Sequence, residues 1–97
     1  MKLITKEIQN ILPKLFEQGN KGLNAIAYVK FFTPDSNWTW YATEFDGKDI
    51  FFGLVDGFVK ELGYFSLSEL ESAKGPYGLK IESDLYFEQT TLEKLMK

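Results

Sequence analysis

Three residue types are absent from this chain, and each absence excludes a class of chemistry. Without cysteine there can be no disulfide, thiol nucleophile or thiolate-ligated metal site. Without histidine the chain lacks the commonest general base and the usual nitrogen ligand for zinc. All 11 basic residues are lysine, so bidentate arginine contacts to phosphate or guanine are also excluded. Carboxylates remain as the main groups for acid–base or metal chemistry.

Long hydrophobic runs are absent as well. No apolar run approaches the roughly 20 residues that a membrane-spanning helix needs. The N-terminal stretch MKLITKEIQN turns polar too early to form the apolar core of a signal peptide. A length of 97 residues suits one hydrophobic core. We therefore predict a single compact domain over residues 1–97, soluble and cytoplasmic, with no membrane partner.

The charges are unevenly spread along the chain. Residues 1–34 carry five lysines and two glutamates, a net charge of +3, whereas residues 35–71 carry eight acids and two lysines, a net charge of −6. Residues 72–97 carry four charges of each sign. The middle of the chain therefore does not favour a basic phosphate-binding stripe, and we do not expect nucleic acid as a partner. We also expect the acids of this middle part to lie at both ends of a β-sheet that is predicted below. Two separate clusters of charge would not form the continuous row that mimicry of DNA needs.

Helical signals lie near both ends of the chain. Thr5 is a predicted N-cap for a helix with an apolar stripe, and Pro13 should kink or split that helix. Ser66 with Glu69 forms a capping box that predicts a short helix from about Leu67. Thr90 with Glu93 predicts a last helical turn in the same way. The chain should therefore have an N-terminal helix and short C-terminal helices.

Four apolar runs joined by turn signals lie between these helices. The runs are AIAYVKFF, WTWYATEF, IFFGLV and FVKELGYF, and the turns include Asp46-Gly47 and Asp56-Gly57, both typical of β-hairpins. The sequence predicts an α+β fold, a four-stranded antiparallel β-meander with the N-terminal helix packed on one face. The stretch GLKIESDLYFE is expected to be a short strand or an extended wrap.

Alternation along the strands assigns each side chain to one of two faces, provided that the hairpin loops hold two or four residues. The predicted core face holds Ala27, Val29, Phe31, Trp38, Trp40, Ala42, Phe51, Val55, Phe58 and Leu62, interrupted by Glu44, Lys60 and Tyr64. The predicted second face holds Tyr28, Lys30, Phe32, Thr39, Tyr41, Thr43, Phe45, Ile50, Phe52, Leu54, Val59, Glu61 and Phe65.

The second face is the candidate surface for binding a protein partner or another copy of the chain, because it mixes aromatic groups with hydroxyls and charges. The candidate residues are Tyr28, Lys30, Thr39, Tyr41, Thr43, Phe52 and Glu61. The C-terminal third, with apolar residues from Leu79 to Leu92, either covers this face or leaves part of it open. No catalytic residue, cofactor or metal is predicted for this module.

Two other functions stay open at this point. Glu44, Asp46 and Asp49 surround one hairpin turn and would hold a divalent ion in a carboxylate-dependent enzyme. The lysine-rich N-terminal third, with Tyr28 or Phe32 as a stacking platform, would bind single-stranded nucleic acid weakly.

The stretches TWYATEFDG and ELGYFSLSEL, with LITKEIQNILPKLFEQ before them and GLKIESDLYF after them, resemble a bacterial family of unknown function numbered 2958. The resemblance covers nearly the whole chain. It implies a small single-domain protein that is encoded on a mobile element such as a phage or plasmid. It implies no catalytic residues, and it indicates that these motifs are signatures of a fold rather than of an active site.

Overall fold

The computed structural model describes residues 3–97, which begin with helix α1 (Lys6–Ile11) and a 3-10 helix (Gly19–Asn24). Five strands and a helix follow: β1 (Ile26–Ala27), β2 (Val29–Phe32), β3 (Thr39–Phe45), β4 (Ile50–Asp56), β5 (Lys60–Ser66) and α2 (Leu67–Ser72). The chain ends with β6 (Glu82–Ser83), β7 (Thr90–Thr91) and α3 (Leu92–Met96). The α+β class is confirmed, while a single domain over the whole chain stays a prediction.

The main sheet is antiparallel and has the strand order β5-β4-β3-β2-β6. Strands β2 to β5 form the predicted meander, and β6 adds a fifth strand beside β2. The prediction of four strands is therefore incomplete. β1 and β7 pair separately, with Ile26 opposite Thr91 and Ala27 opposite Thr90. Strands of two residues carry no periodic pattern, so alternation along the sequence does not indicate them.

The helix boundaries follow local chemistry. The Thr5 side chain accepts a hydrogen bond from the Ile8 N–H (3.2 Å), and α1 ends at Ile11, just before the Leu12-Pro13 pair. Leu12 is extended (φ −75°, ψ 127°), as expected for a residue that precedes proline. Pro13 therefore ends the helix, and the next helical segment starts only at Gly19.

The capping boxes are placed nearly as predicted. Ser66 Oγ accepts a hydrogen bond from the Glu69 N–H (3.1 Å) and donates one to the Glu69 carboxylate (2.9 Å), so α2 begins at Leu67. The cap of α3 is Thr91 instead of Thr90, a shift of one residue. A threonine at either position can act as N-cap, and pairing with β1 holds both in the extended conformation before the helix.

The first face of the sheet carries the larger hydrophobic cluster. Its members include Val29, Phe31, Trp40, Ala42, Phe45, Phe51 and Phe65, and α1, α2 and Ile81 pack against them. The Phe51 ring is fully buried and lies 4.4–5.4 Å from the rings of Phe31, Phe45 and Phe65. Burial of each such side chain contributes about 1.5–3 kcal/mol, so this cluster dominates stability.

Two irregularities change the predicted faces. A β-bulge at Thr43 shifts the register between β3 and β4, so that Glu44 pairs with Phe52 and Phe45 pairs with Phe51. Phe45 therefore lies on the first face and Glu44 on the second, which is the reverse of the prediction.

The other irregularity is the loop between β4 and β5. It holds three residues, 57–59, because Asp56 pairs with Lys60. This odd number inverts β5: Phe65 and Glu61 lie on the first face, and Leu62 and Tyr64 on the second. The predicted positions of all four side chains are wrong. Phe58, predicted for the core, lies in the loop and is 94% exposed.

Candidate functional site

The second face of the sheet is partly covered by the C-terminal segment. The Asp84 carboxylate lies 3.7 Å from the Lys30 ammonium, and the Phe87 ring lies 5.7 Å from that of Tyr41. Leu92 in α3 is buried against Leu54. The C-terminal third therefore covers this face over β2, β3 and the end of β4 that lies beside them. Leu85 and Tyr86 turn outward and are exposed.

Tyr41 lies beneath this cover. Burial raises the pKa of Tyr41, and the carboxylates of Asp56 and Asp84 raise it further because they disfavour a second negative charge. The Lys30 ammonium lies 6.0 Å from the centroids of both the Tyr41 and Phe32 rings. Tyr41 and Lys30 thus belong to the contact between the sheet and the C-terminal segment.

The other end of the second face is open. Phe16, Leu62 and Tyr64 are 73%, 44% and 57% exposed, although all three are large and apolar or aromatic. The rings of Phe52 and Tyr64 pack edge to face with centroids 5.0 Å apart. These four side chains rim a concave cavity of about 190 Å³, whose floor includes Ala25, Thr43 and Leu92. We call this cavity the open pocket.

A buried carboxylate shapes one wall of the open pocket. Glu44 is only 4% exposed, and its two oxygens accept hydrogen bonds from the backbone N–H groups of Phe16 (2.9 Å) and Gln18 (2.7 Å). Phe16 adopts a φ of 74°, which costs a residue with a side chain about 1–2 kcal/mol. Glu44 therefore helps hold the Phe16 backbone in a strained conformation while the ring stays exposed.

The Gln18 side chain connects the same wall to the sheet. Its amide group donates hydrogen bonds to the carbonyls of Ile26 (3.0 Å) and Thr43 (2.7 Å) and accepts one from the Ile26 N–H (2.8 Å). Gln18 is buried, and these bonds satisfy its polar atoms. The loop that carries Phe16 is thus fixed at two points on the sheet.

The sequence-predicted site residues fall into three groups. Tyr41, Lys30 and Thr39 lie on the second face but toward its covered end, and Thr43 and Phe52 line the open pocket. Glu61 lies on the first face because of the three-residue loop. Tyr28 packs against the first-face cluster, since the strand is interrupted between β1 and β2.

Sequence reasoning missed Phe16, Gln18, Leu62 and Tyr64. Phe16 lies beyond Pro13, in a segment for which the sequence predicts the second part of a kinked or split helix with an apolar stripe, whereas α1 ends at Ile11. The sequence predicts the two β5 residues on the core face, and they lie on the second face. A three-residue loop between β4 and β5 places both Leu62 and Tyr64 on the second face, so an assumption of this loop length would have revealed both residues. It would not have revealed Phe16 or Gln18.

The three carboxylates of the alternative metal site point in different directions. Glu44 is engaged by the Phe16 and Gln18 backbone, while Asp46 Oδ1 accepts hydrogen bonds from three backbone N–H groups of its own turn. Asp49 accepts hydrogen bonds from the Ser68 N–H and hydroxyl at the start of α2. Within residues 3–97 no three His, Cys, Asp or Glu side chains are grouped to hold a metal ion.

A second aromatic cluster lies at the opposite end of the sheet. The Trp38 ring stacks on Trp40 (6.0 Å between centroids) and meets the exposed Phe58 ring edge to face (5.5 Å). A Cβ atom on Gly57 would clash with the Trp38 ring, so a larger residue there would displace the ring. Both tryptophans are half-buried at the margin of the core instead of inside it.

Over the described residues no helix has the length and apolar composition that a bilayer crossing requires. No curated protein and no solved structure matches the chain. The family described as "Protein of unknown function (DUF2958)" matches residues 3–95, which confirms the predicted resemblance. The chain is therefore a member of this DUF2958 family.

Proposed function

We propose that the chain is a non-catalytic binding module that holds a protein partner, or another copy of itself, at the open pocket. The observation that carries this proposal is the exposure of Phe16, Leu62 and Tyr64 around one concavity, next to a sheet face that is otherwise covered. Clustered exposed apolar groups at a concave site are typical of interaction surfaces.

The polar groups of the open pocket support binding rather than catalysis. Both oxygens of Glu44 accept backbone hydrogen bonds, and the Thr43 hydroxyl donates one to the Phe52 carbonyl (3.0 Å). Groups engaged in this way stabilise the local backbone, and they are poorly available for proton transfer to a ligand. The pocket therefore offers shape and apolar area to a partner.

The expected occupant is an apolar side chain of a protein. Full burial of one such side chain contributes about 1.5–3 kcal/mol, and association costs at least about 4 kcal/mol in lost freedom. A single inserted side chain is therefore insufficient, and the partner must also cover the rim formed by Phe16 and Tyr64. In this proposal the module acts in the cytoplasm and is encoded on a mobile element. These two expectations rest on the sequence and on the family resemblance.

Photo-crosslinking tests the proposal. A photoreactive phenylalanine derivative is placed at position 64 or position 16 and the protein is illuminated in its native host. Matched controls carry the same group at positions 86 and 58, where Tyr86 and Phe58 are 92% and 94% exposed but lie away from the pocket.

We expect one discrete adduct from positions 64 and 16, either with another copy of the chain or with one other protein. The control positions should give only weak, diffuse labelling. Equal labelling from all four positions, or no discrete adduct from positions 64 and 16, would contradict the proposal.

A further inference from the structure

Strand β5 forms an edge of the sheet and is unusually regular for an edge. All seven of its residues pair with β4 without a register shift, and in the part of the chain that is described no strand pairs on its other side. Natural edge strands are usually protected by proline, a bulge or charges along their length. Here charges occur only at Lys60 and Glu61, and none occurs from Leu62 to Ser66.

The hydrogen bonds at the two ends of β5 show which residues face the free edge. The Leu67 N–H donates to the Asp49 carbonyl (2.7 Å), and the Gly57 N–H donates to the Val59 carbonyl (3.2 Å). In an antiparallel ladder, residue pairs that exchange hydrogen bonds alternate with pairs that do not. The residue pair that lies next to each of these two bonds therefore exchanges no hydrogen bonds.

The two residue pairs without hydrogen bonds at the ends of β5 are Ile50 with Ser66 and Asp56 with Lys60. By alternation, Gly63 bonds to β4, whereas the N–H and C=O groups of Leu62 and Tyr64 point to the free edge. The side chains of Leu62 and Tyr64 also line the open pocket. The same two residues thus offer backbone pairing and apolar contact.

We infer that a second copy of the chain occupies this edge, with the two β5 strands antiparallel and a two-fold axis at Gly63. This inference rests on the proposed binding function and names its partner. In this arrangement Leu62 of each copy lies opposite Tyr64 of the other, on the side of the open pocket. Both copies bury the same patch, as a two-fold interface requires.

The composition of β5 selects this register. An axis at Gly63 would pair the whole seven-residue strand with that of the second copy, and it would place Lys60 opposite Ser66 and Glu61 opposite Phe65. A two-fold axis at Leu62 or Tyr64 would leave two residues of each strand unpaired. An axis at Glu61 would place the Glu61 carboxylates of the two copies directly opposite each other. Like charges directly opposite each other destabilise a strand pair.

The expected dimer is reversible. A strand of seven residues is about 23 Å long, so two paired strands of this length form a small interface. Most specific interfaces bury roughly 1,200–2,000 Å² in total. The copies should therefore separate on dilution. The Phe16 ring, held at the rim by its loop, extends the contact beyond the strand.

Introduction of a charged side chain at Gly63 tests the inference. Nothing lies within 4 Å of a Cβ atom built on Gly63, and its backbone φ is not in the left-handed region, so the fold accommodates a side chain there. At the two-fold axis that side chain meets its own copy. Gly63→Lys and Gly63→Glu are therefore each expected to weaken dimerisation at least about tenfold, and an equimolar mixture should restore a heterodimer.

Sedimentation equilibrium measures the association, and circular dichroism verifies that each variant is folded. Tyr86→Lys and Tyr86→Glu are matched controls on the exposed surface and should dimerise like the unmodified chain. Rescue of dimerisation by mixing the Gly63 variants would support the two-fold register, because a merely misfolded variant gives no rescue.

A chain that stays monomeric at all concentrations would overturn the inference, as would a dimer that persists in both Gly63 variants. If the chain is monomeric while position 64 captures a different protein, the second-copy inference fails and the proposed function stands. If position 64 captures nothing, the proposed function fails as well.

Discussion

At the scale of single residues, Glu44 determines how the open pocket is shaped. Its carboxylate is buried and receives the N–H groups of Phe16 and Gln18. A substitution Glu44→Gln leaves one of these N–H groups facing an amide that is itself a donor. We expect a loss of about 2 kcal/mol in the free energy of unfolding, since a hydrogen bond to a charged group contributes about 1.5–3 kcal/mol.

Chemical denaturation measures this loss. The control Glu88→Gln changes the same groups on an exposed side chain and should alter stability by less than about 0.5 kcal/mol. Equal stabilities for the two variants would show that Glu44 does not hold the loop of Phe16.

Asp46 gives the fold a pH dependence. Hydrogen bonds from the backbone N–H of Asp49, and also of Lys48 and Ile50, lower the pKa of this carboxyl. A pKa that is lower in the folded than in the unfolded chain stabilises the fold above the unfolded value of about 3.9. That contribution is lost as the pH falls through the lowered pKa.

Unfolding measured from neutral to acidic pH tests this contribution. Asp46→Asn keeps an acceptor oxygen but cannot titrate, so its stability should fall less steeply than that of the unmodified chain below about pH 4. Parallel pH profiles would mean that the turn does not favour the ionised carboxyl.

At the scale of elements, α3 is the part that closes the second face. Leu92 at its start is 1% exposed and packs beside Leu54 and Ala25. Leu92→Ala is expected to cost about 2–5 kcal/mol, the range for truncating a buried leucine.

The matched control for this truncation is Leu85→Ala. Leu85 belongs to the same segment but is 80% exposed, so its truncation should cost less than about 0.5 kcal/mol. Thermal or chemical unfolding distinguishes the two variants. Equal costs would contradict the account of the C-terminal segment as a cover.

The elements that sequence predicted best are those that local chemistry specifies. The Ser66 capping box acts within one helical turn, and Pro13 acts on its immediate neighbour, so both are readable from a short window. The bulge at Thr43 is different. It is held by distant groups, since the Thr43 carbonyl accepts a bond from Gln18 and the Phe45 N–H donates to the Pro13 carbonyl.

The loop after β4 also depends on a group that is distant in sequence. Asp56-Gly57 is typical of a two-residue turn, yet Gly57 lies beneath the Trp38 ring and the loop extends to Val59. One extra residue in each irregularity moves side chains to the other face. The candidate site was therefore predicted on the correct face in part, but of its four rim residues only Phe52 was among the predicted ones.

At the scale of the whole molecule, the acids are divided between the two ends of the sheet. Asp46 and Asp49 lie at the β3–β4 turn, whereas Asp56 pairs with Thr39 at the other end, on the side of the turn that contains Asp35. The Asp35 carboxylate accepts the Tyr77 N–H (2.8 Å). The expected separation of the acids is confirmed.

A mimic of DNA needs charges spaced every few ångströms along one line, about one per 1.7 Å of duplex axis. We therefore expect that the protein does not displace duplex DNA from restriction or CRISPR nucleases in a competition assay. Displacement that is lost on Asp46→Asn together with Asp49→Asn would refute this expectation.

The central claim is that the open pocket, rather than the covered parts of the sheet or the Trp38 cluster, is the surface that meets a partner. Cross-saturation NMR on the unmodified chain, bound to the partner that the crosslinking identifies, tests it without altering any side chain of the pocket. The account predicts that irradiation of the partner attenuates the amide signals of Phe16, Leu62 and Tyr64, while those of Phe58 and Tyr86 keep their intensity. Attenuation centred on Phe58 or Tyr86, with the pocket signals unchanged, would contradict it.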